Sequence, residues 1–99
     1  MDYADTLRRH RRLTILRTLS QIPGYSTNES IIEDACDRFR VTSTRDQVRT
    51  ELGWLAEQGF VTNEIIGDYM IATLTQGGLD IVSGKRVHPD IEKPAPKRA

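Results

Sequence analysis

Thr44, Arg45, Gln47, Arg49 and Thr50 crowd into one short stretch of a 99-residue chain. Their chemistry is that of nucleic-acid recognition. A guanidinium fork fits phosphate or the guanine edge, a carboxamide fits adenine, and a hydroxyl serves either. An ordinary solvated helix face offers the same residue types. A second basic group, Arg8, Arg9, Arg11 and Arg12 around His10, could contact phosphates, or form a solvated basic terminus. Catalysis has less to work with. His10 and His88 lie near opposite ends of the chain, and Cys36 is the single cysteine. The carboxylates read as helix caps and solvated faces. No enzyme, metal centre or cofactor is therefore expected.

The stretch that positions the first group reads as a helix over residues 43–58. Ser43 is placed to cap it, with Asp46 returning the bond. Val48, Leu52 and Leu55 recur at i, i+4, i+7 and form the apolar stripe, and Gly59 ends the helix. Arg45, Gln47, Arg49 and Thr50 fall on the polar side. A preceding helix is announced by Ser26-x-x-Glu29, a capping box, with Asn28 a rival cap. Its apolar row is Ile31, Ala35 and Phe39, flanked by Ile32 and Cys36, with Cys36 packing as a small apolar residue. Its outer face, Glu29, Glu33, Asp34 and Asp37, is acidic. Arg40-Val41-Thr42 joins the two helices, with Val41 plugging the joint. Helix, short turn, capped polar helix is the layout of a helix-turn-helix.

Upstream, residues 5–22 form a first helix with Leu13, Ile15, Leu16, Leu19 and Ile22 on its core face, stopped by Pro23-Gly24. Tyr3 and Leu7 point off that face, toward a partner such as a second copy, or else the first turns fray. Downstream, the periodicity becomes alternating. Val61–Ile66 and Tyr69–Leu74 flank Gly67-Asp68, which suits a two-residue type II′ hairpin pairing 66 with 69 and 61 with 74. Val61, Asn63, Ile65, Met70, Ala72 and Leu74 should face the helices, with Asn63 the misfit. Thr75 caps a short helix over 76–83 that Gly84 stops.

Composition sets the bounds. A hydrophobic fraction of 37% and a charged fraction of 28% suit one small globular domain. No apolar run approaches the ~20 residues of a membrane span, so a cytoplasmic location is expected. Formal net charge is zero, yet its distribution is uneven. Residues 1–22 carry roughly +3, residues 23–84 roughly −6 and residues 85–99 roughly +3. The proline- and lysine-containing segment 85–99 reads as a disordered or lightly tethered tail outside a domain of residues 1–84.

On these motifs the chain resembles the winged helix-turn-helix family. Val48 to Val61 is similar to its recognition helix and first wing strand. Tyr69–Thr75 with Gly77 or Gly78 resembles its second wing strand and the Leu-Thr-x-x-Gly opening of the next helix. The resemblance spans about residues 5–84. The arginine-rich start and basic, proline-containing end also resemble small winged-helix proteins of Mu-like phages and prophages. It implies an α+β, mainly helical fold with a two-stranded wing and a short C-terminal helix. It further implies a sequence-specific regulator binding double-stranded DNA, often as a homodimer. Thr44, Arg45, Gln47, Arg49 and Thr50 would stand on its recognition helix, and Arg8, Arg9, Arg11 and Arg12 would add phosphate contacts. The chain departs from that pattern at the wing, whose tip carries Glu64 and Asp68 rather than a cation. The other reading is a winged-helix assembly module that binds a protein, with Trp54 as its anchor.

Overall fold

The structure, a computed structural model, describes residues 2–95. Among them the element order is α1 (Tyr3–Ser20), a 3-10 turn (Pro23–Tyr25), β1 (Ser26–Asn28), α2 (Glu29–Arg38), α3 (Arg45–Glu57), β2 (Val61–Ile66), β3 (Tyr69–Leu74) and α4 (Gln76–Ser83). The class is α+β, and the arrangement is compatible with a winged-helix-like fold.

The strands form one antiparallel sheet in the order β1-β3-β2. The β2–β3 register pairs Val61 with Leu74 and Ile66 with Tyr69, as the alternation predicts. Gly67 sits at φ 60, the left-handed first position that a type II′ turn requires. The third strand is unexpected. Ser26, Thr27 and Asn28 pair with Thr73, Ala72 and Ile71 instead of forming a capping box. The cap of α2 is the rival residue, Asn28, whose Oδ1 accepts from the Ile31 amide.

The buried face of α2 is also rotated from the expected row. Glu29, Ile32 and Cys36, at i, i+3, i+7, point into the protein and have no solvent exposure. Ile31 and Phe39, expected in the core, are 48% and 63% exposed. Val41 does fill the α2–α3 joint, being 7% exposed. Arg40, just after α2, takes a left-handed φ of 63, and the Val41 amide donates to the Cys36 carbonyl across it.

Helix α3 also starts one residue later than expected. Thr44 is its cap and Gln47 closes a full capping box, while Ser43 is buried beneath. Asp46 takes no part in that box. The core joins Leu13, Ile15, Leu16 and Leu19 of α1 to Val48, Leu52 and Leu55 of α3, Phe60, and Ala72 and Leu74 of β3. Asn63 is accommodated by donating its amide to the Leu52 carbonyl. Gly78 is the glycine that lets α4 close on the chain just before β2, because a Cβ there would lie 2.3 Å from the Phe60 carbonyl oxygen.

The expected tail is the largest correction. Residues 85–95 pack back on the domain, with Ile91 buried in the core at 3% exposure. The part of the tail over 96–99 lies outside the described residues. No helix among the described residues is long and apolar enough to cross a membrane.

Candidate nucleic-acid interface

The polar residues at the start of α3 are organised around a single buried acid, Glu29. β1 ends at Asn28, opposite Ile71, so on its β1 side β3 has no strand partner at Met70. Glu29 is the next residue, and its Oε2 accepts the Met70 amide in place of a backbone carbonyl. Its remaining capacity is filled from α3. Arg49 donates from Nε to Oε1 at 2.6 Å and from Nη2 to Oε2 at 2.9 Å, and Arg45 donates from Nε to Oε1 at 2.9 Å. Both arginines also reach the Asp68 carbonyl at the hairpin tip, at 3.0 Å from Arg49 and 3.4 Å from Arg45. The Arg45 guanidinium further stacks 4.9 Å from the Tyr69 ring centroid.

A buried carboxylate is stable only when paired and fully hydrogen-bonded, and Glu29 is both. Its pKa is lowered from 4.5 to about 2. The Arg49 hydrogen bond is the largest cause, and the Met70 amide and Arg45 outweigh the opposing effect of burial. Arg49 is correspondingly raised, first by its hydrogen bond to Glu29. Sequence reasoning placed Glu29 on the solvated acidic face. The signal that could have found it is its i, i+3, i+7 relation to Ile32 and Cys36.

Arg45 and Arg49 thus stand side by side, with side chains 45% and 39% exposed. Thr44 and Gln47 lie at the same helix start, but the Thr44 hydroxyl and the Gln47 carbonyl are occupied by the capping box. Thr50 is exposed on the next turn.

The second basic group is not an open phosphate surface. Arg11 and Arg12 are buried, at 6% and 9% exposure. Arg11 donates to the Ser43 hydroxyl, which donates in turn to the Val41 carbonyl. Arg12 pairs with buried Glu51 at 2.7 Å, donates to the Asp90 carbonyl and lies 3.8 Å from the centroid of Trp54. Arg9 pairs with Glu92 in the C-terminal segment, whose amide donates to the Arg9 carbonyl. Arg8 is the most open of the four, and it bonds Asp5. Charge counting identified four cations but could not see that α1 runs along α3 and the returning chain, where carboxylates and carbonyls wait. Trp54 is engaged too, with His88 edge-on at 5.1 Å, so it is not an open anchor. Cys36 is buried and its thiol is pushed up by that burial, in keeping with a packing role.

No family model matches the chain. It is 42% identical over 98 residues to an uncharacterized protein of Haemophilus influenzae, covering 93% of this chain and 95% of that one. It is 38% identical over 93 residues to the uncharacterized protein gp26 of Escherichia phage Mu, covering 94% and 96% respectively. With nearly the full length of each chain covered, the chain belongs to the family of phage Mu gp26 and its bacterial relative.

Proposed function

We propose that the protein binds double-stranded DNA as a phage or prophage regulator, laying the N-terminal half of α3 in the major groove with the β2–β3 hairpin as a wing beside it. The observation that supports this reading best is the pair Arg45 and Arg49. Two half-exposed guanidinium groups are held in fixed orientation at the start of the second helix of a helix-turn-helix arrangement. Preorganised arginines lose less freedom on binding than free ones. The surroundings limit the electrostatic contribution, since Glu29 neutralises one charge and Asp46 and Asp68 stand nearby. Binding should depend on contacts to base edges more than on counterion release, with a salt slope of about two or less.

The test is a gel-shift series on random and selected duplexes at two salt concentrations, with Arg45→Ala/Arg49→Ala as the control. Loss of binding in a double variant that still unfolds cooperatively supports the reading, and unchanged affinity removes it. The same reading carries a homodimer through the first turn of α1, where Tyr3 is 76% exposed. Sedimentation that finds only monomer at high concentration rejects that dimer.

The hairpin tip favours a second reading. Ile65 and Ile66 are each 57% exposed and Tyr69 44%, next to the acids Glu64 and Asp68. An apolar, acidic tip fits a protein surface better than a phosphate backbone. Salt-insensitive binding to a protein partner, abolished by Ile66→Asp, would select the assembly module.

A further inference from the structure

The two arginines at the start of α3 differ in what they have left to give. A guanidinium carries five N–H donors. It presents them as a side-on fork, Nε with one Nη2 hydrogen, and an end-on fork, the second Nη2 hydrogen with one from Nη1.

Arg49 spends its side-on fork on the two carboxylate oxygens of Glu29. Its second Nη2 hydrogen goes to the Asp68 carbonyl at 3.0 Å. Half of the end-on fork is therefore committed, and Arg49 retains only Nη1. Arg45 gives its Nε hydrogen to Glu29 and one Nη2 hydrogen, at the longer distance of 3.4 Å, to Asp68. It keeps one Nη2 hydrogen and both Nη1 hydrogens uncommitted. The Tyr69 ring lies beneath this guanidinium, 4.9 Å from Cζ to the ring centroid.

Resting on the DNA-binding reading, we infer that Arg45 is the specificity-determining residue, reading two adjacent acceptors such as guanine O6 and N7, and that Arg49 is a positioning residue that holds Glu29 and the hairpin tip in place. The bidentate contact is the one that discriminates bases, and it needs two hydrogens on one edge of the guanidinium. Arg45 keeps an uncommitted hydrogen on both of its Nη atoms, whereas Arg49 keeps them on Nη1 alone. Arg49 works through Glu29, because its bidentate bond keeps the carboxylate where it can accept from both Arg45 and Met70.

Lysine separates the two roles. It keeps the charge and can still bond one carboxylate oxygen, but it has no fork. The experiment enriches a preferred site from random duplex with the full chain. It then measures the affinity ratio between that site and a scrambled duplex for the wild type, Arg45→Lys and Arg49→Lys. Urea midpoints are recorded in parallel for Arg45→Ala and Arg49→Ala, without DNA. Arg45→Lys should lower the ratio on the order of tenfold, through one base pair, whereas Arg49→Lys should lower it clearly less and weaken binding to both duplexes alike. Arg49→Ala should lower the urea midpoint more than Arg45→Ala does. A ratio lost equally in both lysine variants, or kept in Arg45→Lys, overturns the division, as does an equal fall in the two midpoints. Failure of the wild type to enrich any site overturns the DNA reading itself and Arg45's role with it. The urea arm then reports separately on whether Arg49 is the residue that holds Glu29.

Discussion

Replacing Glu29 with glutamine isolates the charge at the centre of the site, because the amide has the same shape and one acceptor oxygen. Each Glu29 oxygen accepts two donors, so either orientation of the amide sets its NH₂ against two N–H groups. The fall of the Glu29 pKa from 4.5 to about 2 gives the charge-dependent part. At about 1.4 kcal/mol per tenfold change in proton affinity, that fall corresponds to about 3 kcal/mol. The two arginines are 45% and 39% exposed, and solvent screening lowers the figure to about 2–3 kcal/mol. Donor facing donor adds about 1–2 kcal/mol. Glu29→Gln should thus cost about 3–5 kcal/mol at pH 7, the range found for breaking a buried ion pair. The sign with pH follows from a depressed folded-state value. The contribution is complete above about pH 5 and is lost as pH falls toward about 2. The assay is urea unfolding followed by the fluorescence of Trp54, the chain's one tryptophan, at several pH values. The gap between wild type and variant should shrink by about 2–3 kcal/mol between pH 6 and pH 2. A gap that is large but constant with pH would refute the reasoning, because the carboxylate charge would then not be what holds the cluster.

Three further outcomes follow from the packing. Gly78→Ala should destabilise by about 1–3 kcal/mol by overpacking against the Phe60 backbone, whereas Gly77→Ala, whose Cβ would meet its nearest atom at 3.3 Å, should cost clearly less; thermal melts compare them. Arg40→Gly should stabilise by about 0.5–1 kcal/mol, since glycine occupies φ 63 without strain; an unchanged or lower urea midpoint would contradict this. Ile91→Ala should cost about 2–4 kcal/mol, because Ile91 is a core residue; a loss below about 0.5 kcal/mol would mean that the C-terminal segment does not dock in solution.

Where local pattern and burial agree, the sequence reads well. The hairpin register follows from alternation around Gly67-Asp68, and α4 from Thr75 and Gly84. The α3 stripe follows from Val48, Leu52 and Leu55. Misreadings arise where a polar residue is buried by a partner distant in the chain. Glu29, Arg11 and Arg12 look solvated one at a time and Ser43 looks like a cap, and only the docking of α1 and α2 on α3, with β3 and the C-terminal segment, supplies their partners. The C-terminal segment deceives similarly. Its prolines and basic residues dominate the composition, while Ile91 and Glu92 supply the packing and pairing that tether it. Of the candidate site, Arg45 and Arg49 were visible as helix-face cations. The acid that orients them was visible only as a spacing.

The return of the C-terminal segment bears on the order in which the molecule assembles. The Arg9–Glu92 pair joins residues 83 positions apart. Closing so long a loop has an entropic cost that must be met before its contacts contribute. The surfaces that receive the segment, α1 beside Trp54 of α3, exist only once the helices have packed. Docking of residues 88–92 should therefore be a late event in folding and an early one in unfolding. Its interactions should be absent from the folding transition state, so loosening them accelerates unfolding and leaves the folding rate nearly unchanged. The segment acts as a latch on the lifetime of the folded domain rather than as part of its nucleus.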